Sequence, residues 1–386
     1  MARMFGDLEL ENVKKVLSTG QLGWKEGGMV TQFEGAFAKK VGAKFGIARN
    51  SAMTALAQAV SVSGAGTGFE VMCDPLVHFG GVATLSFNAV PRFVDVKYDT
   101  LLMDPKSVRE NITDLTKALI VTNLWGLCAE LDEIRKICDE HKIFMIEDCA
   151  HVMGSYWKGK HSGTYGDLGV FSFQQGKHLP TGDGGMMVAD REDLHYKLYH
   201  EWAFSGESPA FMTLNFRMNE VTAAIGLAQL QRVDGYLAEY SRNLNMLNEA
   251  IEGCKWLRRR AVPKDAKQSG YIWVSVWEGD KHGLDYDEFK GLCRDLGVPV
   301  GFGFTQTPAY NYDIFKVSTA YGQPNCPVRC PYYKSDYRYY KGMCPVAEDV
   351  LPRLVTSGLI EVPPDRMKER VDLLHKAIET MEKAGG

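Results

Sequence analysis

Residues 146–188 read IEDCAHVMGSYWKGKHSGTYGDLGVFSFQQGKHLPTGDGGMMV. An apolar run, residues 143–146, ends in two carboxylates, Glu147 and Asp148. A strand pattern over residues 169–173 leads within a few residues to Lys177, and a glycine-rich turn, residues 182–185, follows. A buried strand ending in acids, then a lysine held between short strands, fixes an acid and an amine on one rigid platform. An aldehyde cofactor with a basic ring nitrogen needs such a pair. Pyridoxal phosphate fits: its aldehyde condenses with a lysine amine, and its ring is an electron sink while a carboxylate keeps the pyridine nitrogen protonated. Asp148 is the candidate carboxylate and Lys177 the candidate amine. A free lysine, with a pKa of about 10.4, is mostly protonated at neutral pH and must be activated by desolvation or converted to an imine. Taken singly, a lysine is most often a surface charge and a strand-end aspartate a cap or turn former. Only the combination carries the reading.

At 386 residues the chain is long enough for two or three cores at ~150 residues each. Its 45% hydrophobic and 24% charged residues are those of an ordinary globular protein. A net charge of -4 gives no reason to expect nucleic acid or an anionic membrane as partner. No apolar segment approaches the ~20 residues of a membrane span, and the N-terminus has no apolar signal core, so the cytoplasm is the default expectation. The nine cysteines are odd in number and scattered, which argues for reduced thiols. Cys326, Cys330 and Cys344 lack a second close pair, so no metal site is expected.

In chain order, residues 8–17 show a helical period at Leu10, Val13 and Leu17, and residues 30–41 a second one through Phe33, Phe37 and Val41. Residues 45–48 form an apolar strand that breaks into Arg49, Asn50 and Ser51 before a small-residue helix, residues 52–62. Strand, tight polar turn and helix N-terminus make an anion site, which is where the cofactor phosphate is expected; the alternative is a simple helix cap at Asn50 or Ser51. Residues 70–73, 91–94, 118–121 and 143–146 read as parallel strands with helices between them, giving a mainly parallel sheet with ligands at the strands' carboxyl ends. Asn50, Trp125, Asp148 and Lys177 all fall at those ends. From about residue 245 the character changes to a smaller α+β unit, so the expected division is 1–245 for a large cofactor-binding domain and 246–386 for a small C-terminal one. The Tyr- and Cys-rich insert over residues 309–343 is where substrate recognition is expected.

EDCAH, then FSFQQGK, then GDGG resembles the signature of the DegT/DnrJ/EryC1/StrS family of sugar aminotransferases. The resemblance extends to the opening FEGAFAKKVGAKFGIARNSAMTAL, to LNFRMNE, to FTQTPAY and to CPVAEDVLPRLV. It implies an α/β protein of pyridoxal phosphate fold type I, with a mainly parallel mixed sheet flanked by helices and a smaller C-terminal α+β domain. Lys177 matches the Schiff-base lysine and Asp148 the acid at the ring nitrogen. Phe79 matches an aromatic stacking on the ring, His151 a residue on the O3' side, and Ser172 a serine bonded to the phosphate. Asn215 matches an asparagine reaching the neighbouring subunit's phosphate, which implies a homodimer with shared active sites. Ala223, Ala224 and Gly226 would allow close backbone approach at that interface.

Where the family reads Asn/Ser-Gly-Thr, this chain has Ser51, Ala52 and Met53. The departure removes a hydroxyl and leaves the backbone donors of Ala52 and Met53, with the Ser51 side chain, to carry more of the phosphate binding. The implied activity is transfer of an amino group from an amino acid, L-glutamate by the family's habit, to a keto-sugar, nucleotide-linked or free (inosose or keto-octulosonate type), in amino-sugar biosynthesis for surface polysaccharide or a natural product. Arg49, His78 and the insert leave a free acidic sugar open as acceptor. The rivals are a sugar dehydratase-like enzyme, against which Lys177 argues because such relatives carry histidine there, and a non-catalytic cofactor-binding regulator or partner subunit.

Overall fold

The computed structural model describes residues 5–201, 214–317, 320–322 and 326–384. Strands β1 (Phe45–Arg49), β2 (Glu70–Cys73), β3 (Val90–Phe93), β4 (Thr116–Thr122) and β5 (Phe144–Asp148) are followed by a short hairpin, β6 (Tyr156–Trp157) and β7 (Lys160–His161), then by β8 (Leu168–Ser172) and β9 (Gly185–Ala189). All but the hairpin join one seven-stranded sheet in the order β1-β9-β8-β5-β4-β2-β3. The pairs β3/β2, β2/β4, β4/β5 and β5/β8 are parallel, whereas β9 is antiparallel to both β8 and β1. Only β9 runs against the rest, so the carboxyl ends of six strands and the start of β9 share one edge of the sheet. Strands buried on both faces read as near-continuous apolar runs, which is why Ala118, Leu119, Ile120 and Val121 are all inaccessible.

Helices α1 (Asp7–Thr19), α2 (Met29–Val41), α3 (Ala52–Val62), α4 (Phe79–Leu85), α5 (Pro105–Asn111), α6 (Leu131–His141) and α7 (Glu192–Tyr196) cover the sheet, and α8 (Glu220–Ala250) leads away from it. Beyond α8 come β10 (Leu257–Arg259), β11 (Ala266–Lys267), which pairs with the β6/β7 hairpin, β12 (Ile272–Trp277), β13 (Gly301–Phe302) and β14 (Leu354–Gly358), with α9 (Tyr286–Leu296), α10 (Asp313–Lys316), α11 (Pro345–Val350) and α12 (Pro364–Ala384). The second sheet, β10-β12-β14-β13, is antiparallel. It has its own apolar cluster, in which Leu244, Leu247, Trp273, Trp277, Phe289 and Leu374 meet. Residues Ala309, Phe315, Cys344 and Leu354, although late in the chain, pack into the core of the large sheet.

One expectation changes. In α1 the apolar period is not the buried face: Leu10 is 67% and Leu17 58% exposed, while Glu9 and Asn12 are buried. Polar partners make that inversion affordable, since Glu9 takes hydrogen bonds from Gly6 N, Gln229 and Arg232, and Asn12 donates to the Ala224 carbonyl. Ala223, Ala224 and Gly226 serve packing within the chain, where α8 lies against α1 and α2. A Cβ on Gly226 would sit 2.7 Å from the Phe33 ring.

The insert, of which residues 318–319 and 323–325 lie outside the described residues, covers the β3 edge of the sheet. Tyr337 Oη accepts from Phe93 N at 3.1 Å, Tyr339 Oη donates to Pro91 O at 2.8 Å and Tyr333 Oη donates to Glu70 at 2.5 Å. An edge strand with unpaired backbone groups invites association; Tyr337 and Tyr339 occupy two of those groups, and Tyr333 ties the insert to a β2 side chain.

Candidate active site

At the carboxyl-end edge of the large sheet a cavity of about 320 Å³ opens. Ser51, Ala52 and Met53 enter it from the turn after β1 and the start of α3, Phe79 from the start of α4, and Thr122, Asn123 and Leu124 from the end of β4. Asp148 and His151 come from the end of β5, Ser172 from the end of β8, Gln174 and Lys177 from beyond it, and Asp183 and Gly184 from the turn into β9. The structure therefore brings Ser51, Ala52, Met53, Phe79, Asp148, His151, Ser172 and Lys177 to one place. Asn215 stands apart: it is exposed, and its side-chain oxygen accepts from Arg217 N at 3.3 Å.

Alternation along β5 sends Glu147 and Asp148 to opposite faces. Asp148 lies in the cavity wall, with one carboxylate oxygen accepting from Ala150 N at 3.0 Å. Burial pushes its carboxyl above the usual range, against the opposing pull of the Ala150 N–H and of Lys177. Glu147 faces the other way and accepts from Gly163 N, Tyr165 N and Gly166 N, each at 2.7 Å. The two acids that close the strand thus differ in kind, one open to the cavity and one tied into a loop.

Burial lowers the Lys177 amine to about 8, with Asp148 pulling the other way. That brings a lysine from mostly ammonium at neutral pH toward a usable nucleophile. His151 is buried, its Nδ1 has no hydrogen-bond partner, and burial, aided by Lys177 and His178, holds the ring well below the usual imidazole range. A neutral, buried imidazole with an unmet nitrogen at a cavity wall fits a polar ligand.

The turn after β1 shows both readings of its sequence at once. Ser51 Oγ caps α3 by accepting from Thr54 N at 3.1 Å, while the first-turn N–H groups of Ala52 and Met53 precede the intrahelical ladder and stay available to an anion. The hydroxyl lost at position 53 is not restored by Thr54, whose Oγ1 donates to Asn50 Oδ1 at 2.7 Å. Gly185 matters here, because a Cβ on it would lie 2.5 Å from Ala52 N and push β9 off the turn.

Two residues singled out from the sequence have other work. Arg49 is buried, with Nε on Gln58 and its terminal nitrogens on the carbonyls of Ala48 and Leu198, so it braces the turn and does not line the cavity. Trp125 is buried under Phe304 at 5.2 Å and the Arg260 guanidinium at 5.3 Å, and its neighbours 122–124 line the cavity instead. Thr122, Gln174 and Tyr271 were missed. The first two sit within strand-end motifs already noted, but Tyr271, whose hydroxyl lies 3.1 Å from Lys177 Nζ, carries no local signal.

The residues fit pyridoxal phosphate, with anion donors at one wall and an acid, an amine and an unpartnered imidazole at the others. Comparison with known proteins agrees. Residues 4–335 match the DegT/DnrJ/EryC1/StrS aminotransferase family. A GDP-perosamine synthase of Escherichia coli O157:H7 is 31% identical over 62% of this chain and 69% of its own length. An L-glutamine:2-deoxy-scyllo-inosose aminotransferase of Streptomyces kanamyceticus is 29% identical over 79% of this chain and 75% of its own. The crystal structure of an aminotransferase from Psychrobacter cryohalolentis shares the fold with a TM-score of 0.86 at 24% identity, over 99% of both chains.

Proposed function

The chain belongs to the DegT/DnrJ/EryC1/StrS aminotransferase family, whose sugar aminotransferases use pyridoxal phosphate, and from that premise we propose that it moves an amino group from an amino acid to a keto-sugar with Lys177 and Asp148 at the centre. The observation that carries the reading is the meeting of a buried acid, a desolvated lysine and a helix N-terminus in one cavity. When bound, the cofactor supplies the electron sink and the temporary carrier of the amino group. Lys177 Nζ would hold it, and the amine, once free of it, would move a proton to and from the substrate carbon. Asp148 would keep the proton on the ring nitrogen. Phe79 would support the ring face, His151 would serve the O3' side, and the N–H groups of Ala52 and Met53 with the Ser51 and Ser172 hydroxyls would take the phosphate.

L-Glutamate is the proposed donor, with L-glutamine as the competitor raised by the inosose aminotransferase. The acceptor is a nucleotide-linked keto-sugar or a free cyclic ketone; the GDP-perosamine synthase and the inosose aminotransferase support one class each. The buried role of Arg49 removes one argument for a free acidic sugar. The product serves amino-sugar biosynthesis, for a surface polysaccharide or a natural product. We also propose the division into a cofactor-binding domain, 1–245, and a smaller domain, 246–386, and a homodimer in which Asn215 reaches the other subunit's phosphate. Exposed Leu10, Leu17, Leu22 and Leu214 leave apolar surface for such a contact. Among the described residues no helix is long and apolar enough to cross a membrane.

The test is direct. Purified protein incubated with pyridoxal phosphate and reduced with borohydride should carry one pyridoxyl group on Lys177, found by peptide mass spectrometry, and should aminate keto-sugars of one of the two classes with glutamate or glutamine. Label on another lysine, or none, would overturn the assignment.

A further inference from the structure

Tyr271 enters the cavity region from the segment that leads into β12, 94 residues away from Lys177 in sequence. Lys177 Nζ lies 3.1 Å from its hydroxyl and 5.0 Å from the centre of its ring. Two imidazoles flank that ring, His151 at 4.5 Å and His178 at 5.1 Å between centroids. His178 is buried, and its Nε2 lies 2.9 Å from the Gly270 carbonyl, one residue before the tyrosine.

The segment is pinned from three sides. Ser269 N donates to Gly126 O at 2.8 Å, Ser155 Oγ lies 2.9 Å from Ser269 Oγ, and Gln268 Nε2 donates to Trp125 O at 3.3 Å. A Cβ on Gly270 would fall 2.1 Å from Tyr240 O, so only glycine lets the chain run this close to α8. The phenol is therefore held at the lysine by packing and backbone bonds, and Tyr271 is only 8% exposed.

Resting on the reading of Lys177 as the cofactor-bearing lysine, we infer that Tyr271 is the positioning residue for the amine at 177 whenever that amine is not bonded to the cofactor. A phenol suits this task because it is both acceptor and donor. Its oxygen accepts an N–H of the ammonium form, and its O–H is available to the lone pair of the neutral amine. The nitrogen thus stays in one place while it gains and loses the proton that it carries between substrate and cofactor. Among the described residues, Asp148, His151 and Tyr271 face Lys177, and His178 lies beside Tyr271. Asp148 favours the charged amine, whereas burial and the two imidazoles, when charged, oppose it. A hydrogen bond to a charged donor is the stronger kind, so the tyrosine oxygen sides with the ammonium.

Tyr271→Phe keeps the ring and removes only the oxygen. In the full-length protein stripped of cofactor, trace acetylation of Lys177 across neutral to alkaline pH, read by mass spectrometry, gives the midpoint of its titration. Loss of the charge-assisted bond should lower that midpoint by about one pH unit relative to the parent chain; a merely structural tyrosine would leave it in place. An unchanged or raised midpoint overturns the inference. Borohydride fixation of pyridoxal phosphate is scored separately on the same two proteins. If both take up the label on Lys177 and the midpoints coincide, the role of Tyr271 fails alone; if neither does, the reading of Lys177 fails and takes the inference with it.

Discussion

Gly126 and Ser269 meet backbone to backbone: Ser269 N donates to Gly126 O at 2.8 Å, and a Cβ on Gly126 would stand 1.8 Å from Ser269 O. Gly126 also has φ +80°, in the left-handed region that disfavours any other residue. Gly126→Ala should therefore combine a conformational cost with a backbone clash, for a loss on the order of 3 kcal/mol in urea unfolding. Gly159, at φ +78° with open space around its missing side chain, is the control. Gly159→Ala should cost only about 1 kcal/mol, and equal losses at the two sites would remove the clash from the explanation.

The neighbouring acids should separate stability from chemistry. Glu147 accepts three backbone N–H bonds, and Glu147→Ala leaves those donors buried without a partner, at roughly 3 kcal/mol or more. Asp148→Asn keeps the volume and takes away the charge that holds the ring proton. It should unfold at nearly the parental urea concentration while kcat falls by about a hundredfold or more. The reverse pattern would interchange the roles of the two acids.

His161 makes the stability of the chain depend on acid. Its Nε2 accepts from Gly154 N at 3.0 Å and its Nδ1 lies 2.5 Å from Ser162 O, an arrangement that needs the neutral ring with its proton on Nδ1. Burial lowers its pKa from 6.5 to about 4, partly offset by the Ser162 carbonyl. A folded value below the unfolded one means that the contribution is complete above pH 6.5 and is lost as pH falls toward 4. Its size is about 3 kcal/mol. The stability gap between parent and His161→Gln, measured by urea unfolding, should shrink by that order over this window; a gap that does not change with pH would exclude the histidine as its source.

Tyr337 makes a prediction about the sheet edge. Tyr337→Phe removes the acceptor for Phe93 N and should lower stability by roughly 1 to 2 kcal/mol. KM for the amino donor should stay where it was, because none of the insert's described residues lines the cavity. A raised KM with unchanged stability would instead place the insert in donor recognition.

Much of the site was legible because it is local. Asp148, His151, Ser172 and Lys177 sit in one continuous stretch whose strand ends and turns fix their spacing, and the parallel sheet follows from the recurring apolar runs. What was not legible depends on pairing across the chain. The burial of Glu9 rests on Gln229 and Arg232, so the apolar period of α1 pointed to the wrong face. Arg49 looked like an anion ligand until the carbonyls of Ala48 and Leu198 claimed its guanidinium. Tyr271 lies in an ordinary strand pattern, and nothing in that pattern shows that the backbone of α8 and the 124–126 turn press it onto a lysine. The division near residue 245 was placed within a helix, and α8 spans residues 220–250.

That helix is unbroken over 31 residues, about 46 Å at the usual rise. It starts beside the strand-like segment of Arg217, which bridges to Arg49, and its last turns lie in the apolar cluster of the second sheet, where Trp273 Nε1 donates to Asn248 Oδ1 at 3.1 Å. One stiff spar thus joins the neighbourhood of the turn after β1 to the second sheet. A force that tilts that sheet is delivered to the turn as torque, with no slack coil between them to absorb it.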